Sequence, residues 1–254
     1  ILCLNDLPYF ISIENTSADY SYKWTNSEGE ILGTDDYLPI NQKGRYTVTA
    51  TNRITQCSRT EIVAVDESNV ALLQEDFVTI VDEVFHLNTS DVLSVSIDTI
   101  NNDLGPGDYQ FALRNTETNE RMPFSGFQDE PRFELDKGGI YEIIVNDRNG
   151  CVPDATLEVS VLQFPKFFTP NNDGTNDFWL VLGADPVFYP NGSMQIFNRF
   201  GKLIYEFESG DQGWDGTFNG TPLPADDYWY HITLIPSDTS KPTVQKKGNF
   251  SLLR

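Results

Sequence analysis

Chemistry, if this chain performs any, would be sought first at Asn171, Asp173, Thr175 and Asp177. These four oxygen-bearing residues recur at every second position around Gly174. Such spacing partly resembles calcium loops, whose ligands come from alternate residues of a tight turn. Asn171, Asp173 and Asp177 are therefore weak calcium candidates, and calcium binding would show as a melting temperature raised by Ca²⁺ and lost in Asp173→Ala. Two features count against a metal: no bidentate Glu follows, and Gly174 falls at the wrong place. A turn held by its own side chains is the better fit, since Asn and Asp bond readily to nearby backbone amides. No cofactor is expected.

Other catalytic constellations are missing. The two histidines, His86 and His231, have no motif around them, and the chain lacks His-Glu-x-x-His, Gly-x-Ser-x-Gly, Cys-x-x-Cys and a phosphate-cradling glycine loop. Paired acids such as Asp35-Asp36 and Asp226-Asp227 would point to opposite faces of a strand and could not share a proton. Enzyme activity is not expected.

The elements that must position these residues read as strands. Helical periodicity is poor, Gly and Pro recur at short intervals, and Val, Ile, Thr and Tyr are frequent. Residues 194–207 alternate apolar and polar on both sides of Asn198-Arg-Phe-Gly201, a hairpin pattern. An internal echo sets the scale: Gly44-Arg-Tyr46 leads to Cys57 as Gly139-Ile-Tyr141 leads to Cys151, and the two glycines lie 95 positions apart, 139 minus 44. That period is about one β-sandwich domain. The expected fold is all-β: three consecutive immunoglobulin-like β-sandwiches over residues 1–67, 68–164 and 165–254. The strand patterns around Trp24, Tyr46 and Tyr141 resemble immunoglobulin-like and PKD-like repeats, which implies Trp24 packed in a core and Tyr46 or Tyr141 in a tyrosine-corner role.

Charge divides the chain in the same way. Residues 1–164 carry 28 Asp and Glu against 10 Lys and Arg, a net of −18; residues 165–254 carry 10 against 7, a net of −3. A field of −21 disfavours nucleic acid, whose phosphates need clustered cations. No run of 18 apolar residues could form a membrane helix. The start at Ile1, without Met or a basic leader, is read as that of a C-terminal fragment of something longer.

Three cysteines suit an oxidising compartment and allow three pairings. Cys3 and Cys57 sit near the two ends of the first unit, so a Cys3–Cys57 bridge is expected, with Cys151 left over.

Five ordered motifs then appear: FTPNNDGTNDFW (168–179), MQIFNRFGKLIYE (194–206), GWDGTFNG (213–220), LPADDYWYHITL (223–234) and KGNFSLLR (247–254). In this order they resemble the type B C-terminal sorting domain of the Bacteroidetes type IX secretion system, also called the gliding-motility-associated C-terminal domain. The residues carrying the resemblance include Pro170, Asn171, Asp173, Gly174, Asn176, Asp177, Trp214, Asp215 and Gly216. The likeness implies export of a folded cargo, attachment at the outer membrane surface, and two partners: the type IX translocon and a small outer-membrane barrel of the PorP/SprF kind. The preceding units resemble the immunoglobulin-like and PKD-like repeats of bacterial surface adhesins. A secreted polysaccharide-degrading enzyme with accessory sandwiches is the alternative cargo.

In the last motif and the residue before it, Lys246, Lys247, Phe250, Leu252, Leu253 and Arg254 combine cations with a closing apolar strand in an acidic protein. They are the expected partner-recognition residues.

Overall fold

Alternating apolar and polar residues bury one side of a strand and wet the other, as in Asn191–Phe197 and Asp226–Ile235, whereas the central strands Tyr109–Asn115 and Gly139–Asp147 bury three consecutive residues each. The structure is a computed structural model and describes residues 1–84 and 92–254. His86 lies outside the described residues. Apart from one 3₁₀ turn at Glu75–Phe77, every regular element among the described residues is a strand.

The first unit contains β1 (Leu2–Cys3), β2 (Tyr9–Ser12), β3 (Tyr20–Thr25), β4 (Ile31–Gly33), β5 (Tyr37–Ile40), β6 (Gly44–Asn52) and β7 (Ser58–Val65). A β2–β5 pair faces a sheet ordered β4-β3-β6-β7. Between them lie Leu2, Ile11, Trp24, Leu38, Ile40, Tyr46 and Val65. Trp24 is buried as expected, and its Nε1–H donates to the Asp35 carbonyl at 3.0 Å, which satisfies the one polar atom the indole brings inside.

The second unit runs through β8 (Glu67–Ser68), β9 (Val78–Val81), β10 (Ser94–Ile97), β11 (Tyr109–Asn115), β12 (Arg121–Met122), β13 (Arg132–Glu134), β14 (Gly139–Asp147) and β15 (Ala155–Val161). Sheets β13-β10-β9 and β12-β11-β14-β15 enclose a second core that includes Phe111, Leu113, Phe133, Tyr141 and Ile143.

The third unit has β16 (Phe167–Phe168), β17 (Asn191–Phe197), β18 (Leu203–Glu208), β19 (Thr217–Phe218), β20 (Thr221–Pro222), β21 (Asp226–Ile235) and β22 (Val244–Leu252). One five-stranded sheet, β16-β22-β21-β17-β18, carries most of it, and its second layer consists of the β19–β20 hairpin and short bridges such as Trp179 with Trp214. Its buried cluster begins at Leu162 and Phe164.

The cysteines do not pair as expected. The bridge joins Cys3 to Cys151, with Cα atoms 5.5 Å apart, and Cys57 is the exposed free thiol. Strand direction explains the correction. Leu2 pairs in parallel with Glu67 and Cys3 with Ser68, so Cys3 sits where the first unit hands over to the second. Cys57 precedes β7, whose eight residues end at Val65 beside that junction. It therefore lies about 25 Å from Cys3 at roughly 3.3 Å per residue, far beyond disulfide reach. Closing the 148-residue separation contributes about 5 kcal/mol in the chain-entropy model.

Candidate functional site

The loop between Phe168 and Trp179 is built from its own polar side chains. Asp177 is the hub: Oδ1 accepts the backbone N–H of Asn171 at 2.9 Å and of Asn172 at 2.6 Å, and Oδ2 accepts that of Gly174 at 2.8 Å. Asp173 accepts the Thr175 N–H at 2.8 Å and the Asn171 side-chain amide at 2.9 Å, while Asn171 Oδ1 accepts the Asp173 N–H at 3.0 Å. The Asn171 amide, followed by the Thr175 N–H, holds the Asp173 carboxyl below its ordinary range. The carbonyl of Asn176 accepts the Thr169 N–H. The oxygens that would serve a calcium ion are thus already bonded to amide donors, the arrangement of a self-capped turn. Among the described residues, no group of three or more His, Cys, Asp and Glu could hold a metal ion.

The loop's purpose in the fold is to seat the apolar residues at its two ends. Trp179 is fully buried, stacks on Phe250 at 4.1 Å and 13°, and donates its Nε1–H to the Pro165 carbonyl at 2.9 Å. Its backbone exchanges two hydrogen bonds with Trp214, at 2.8 and 2.9 Å. A Cβ on Gly213 would stand 2.6 Å from the Trp179 carbonyl oxygen, so the residue before Trp214 has to be Gly for the backbones to approach. Trp214 in turn meets Tyr228 edge-on at 4.9 Å. Asp215 caps the following turn through the Thr217 N–H, and the Gly216 carbonyl accepts the Leu223 N–H and an Arg254 guanidinium N–H. The motif residues from 170 to 216 therefore build one aromatic core and its turns.

The expected recognition residues divide between the sheet interior and the surface. Phe250 and Leu252 are core: 1% and 0% exposed, on a strand flanked by β16 and β21 inside the sheet. Lys246 shares their inward parity along β22. Its ammonium lies 4.3 Å above the Phe164 ring and donates to the Glu83 carbonyl in the second unit. Burial, the largest influence, lowers its pKa; the Glu83 carboxylate opposes this, and Lys166 adds to it. Arg254 donates to the Leu223 carbonyl at 2.9 Å. Lys247 and Leu253 reach solvent, with Lys247 opposite His231 on the outer sheet face. The six residues thus form no common patch.

Sequence reasoning missed the joint that Lys246 completes. Glu83 accepts the Phe164 N–H at 3.1 Å and donates its own N–H to the Leu162 carbonyl at 3.2 Å. Phe164 stacks on Tyr230 at 5.7 Å, and burial pushes the Tyr230 hydroxyl up to about 12 with the Glu83 charge as a second cause. The parity of Lys246 with Phe250 was the available signal.

Residues 162–252 match the family described as CHU_C Type IX secretion signal domain. The likeness supports a type IX secretion sorting signal in the third unit, an exported protein, and the secretion system as its partner. No curated protein matches the chain. Among solved structures, the three N-terminal domains of the bacteriophage RB49 highly immunogenic outer capsid protein Hoc are 13% identical, over 97% of this chain and 94% of that one, with a TM-score of 0.29. Immunoglobulin domains 1–5 of Sidekick-1 are 13% identical over 99% and 56%, with a TM-score of 0.32. The Bacteroides ovatus mixed-linkage glucan utilization locus protein SGBP-B, in complex with a mixed-linkage heptasaccharide, is 12% identical over 99% and 65%, with a TM-score of 0.21.

Proposed function

We propose that this chain is the C-terminal part of a non-catalytic surface adhesin of the gliding type from a member of the Bacteroidetes. In this reading residues 1–67 and 68–164 form a stalk, and the third unit is both export signal and anchor. The observation that carries it is the sorting-domain match over 162–252, which falls on a unit with its own aromatic core. The partner at the outer membrane is a PorP/SprF-like barrel, which reads the folded surface of the third unit rather than a peeled-off tail, because Phe250 and Leu252 are structural.

The competing role, an accessory module of a polysaccharide-degrading enzyme, would be favoured by flat exposed aromatic platforms. Among the exposed aromatics of the first unit, Tyr9, Phe10, Tyr20 and Tyr37, the neighbouring rings Phe10 and Tyr37 are inclined at 59°, a poor surface for stacking a sugar ring. The test is export of the full chain, with and without residues 162–254, in a bacterium that has a type IX system. The intact chain is expected at the cell surface and the truncated one in the periplasm. Affinity capture of the intact chain from outer-membrane extract should retain the barrel through 162–254. Surface display of the truncated chain, or capture only through residues 1–161, overturns the proposal.

A further inference from the structure

Covalent connectivity decides which parts of a chain feel a pull applied at its ends. Here the Cys3–Cys151 bond joins residues separated by 148 positions, and Cys3 lies two residues from the start. We infer that this disulfide is a mechanical bypass. Tension entering at Ile1 reaches Cys3, crosses the sulfur atoms to Cys151, and continues through Val152 and β15 into the third unit. Residues 4–150, which include nearly all of the first unit and most of the second, hang from the path as a closed loop that carries no end-to-end load.

The mouth of that loop is a built joint rather than a chance crossing. Cys151 is 1% and Asp147 4% exposed. The Asp147 carboxylate accepts Ser68 Oγ–H at 2.7 Å, the Asp108 N–H at 3.1 Å, the Asn149 N–H at 3.2 Å and the Cys151 N–H at 3.3 Å. The Asn5 side-chain amide donates to the Val152 carbonyl at 2.7 Å, and β1 runs parallel to β8. These contacts hold Cys3 against the second unit from both sides of the bond. Below the joint, the path enters the third unit at β16 and leaves it at β22. Phe167 pairs in parallel with Ser251 and Phe168 with Leu252, so an end-to-end pull shears that pairing instead of peeling it.

The load path follows from the bond alone; its use on a cell surface rests on the stalk reading proposed above. An export experiment tests that reading, whereas the bypass is tested on the purified chain. The whole chain, held by handles at residues 1 and 254, is stretched to full unfolding without reductant. Of its 254 residues, less the 148 enclosed, the pull should extend only about 350 Å at roughly 3.3–3.6 Å per residue. A dithiol added under load then opens the bond by exchange. The dithiol becomes a cyclic disulfide, Cys3 and Cys151 become thiols, and about 500 Å more is released. Cys3→Ser should yield the full length from the outset, and Cys57→Ser should leave the oxidised trace unchanged. If Cys3→Ser does not fold, the dithiol step on the unaltered chain decides. Full extension of the unaltered chain without reductant, or no added length after the dithiol, overturns the inference.

Discussion

Lys246 and Lys247 carry the same charge and leave β22 on opposite faces. Side chains alternate along a strand, so the doublet that reads as one cationic patch is one half-buried joint and one exposed ammonium. The next residue shows why the motif continues with Gly. A Cβ on Gly248 would lie 2.4 Å from the Tyr230 hydroxyl oxygen and 2.6 Å from Cζ of its ring, which covers the strand there. Gly248→Ala should therefore destabilise the third unit by about 1–3 kcal/mol through overpacking. Lys247→Ala, at an exposed site, should change stability by less than about 0.5 kcal/mol. Denaturant midpoints of the two variants check both values, and equal midpoints would refute the packing account.

At the scale of elements, one device recurs in all three units. Tyr46 donates its hydroxyl to the Gln42 carbonyl at 2.6 Å, Tyr141 to that of Lys137 at 2.6 Å, and Tyr228 to that of Pro224 at 3.1 Å, each four residues back. The first two were legible from the Gly-x-Tyr echo. The third was hidden because Asp226 replaces the glycine and no cysteine follows, although the spacing is identical. Replacing each tyrosine by Phe should cost about 1 kcal/mol, with the smallest loss at Tyr228, where the bond is longest. Thermal melts of the three variants would expose an unequal role if one loss exceeded the others several-fold. The position of β22 was not legible in the same way. Its alternation marks a strand, but only the sheet order shows that it lies between two others.

For the whole molecule, the polar joint around Asp147 anchors β8, on which β1 of the first unit pairs, and should make the stability of that junction sensitive to acid. Burial alone would raise the Asp147 pKa, but Ser68 Oγ–H and the N–H groups of Asp108, Asn149 and Cys151 outweigh it, and the carboxyl is held below its ordinary 3.8. A depressed carboxyl contributes stability that is complete above its unfolded value and disappears as pH falls through the folded one. The unaltered chain should thus lose stability below about pH 4, in the range of ordinary Asp titration. Asp147→Asn should be less stable at pH 7 and should converge with the unaltered chain as the pH falls. Calorimetry from pH 7 to pH 2 measures this, and parallel curves for the two proteins would exclude Asp147 as the acid-sensitive group.

Alternation, turn residues and composition are local properties, and by themselves they determined an all-β chain, the buried place of Trp24, and the ordered motifs of the sorting signal. The tertiary structure decided what depends on which ends meet in space. It joined Cys3 to Cys151 rather than Cys57, because β7 carries its two ends about 25 Å apart. It turned Lys246 inward against Glu83 and Phe164, and it placed Phe250 inside the sheet. Periodicity specifies the face a side chain takes, but only the packing of distant segments specifies what that face touches.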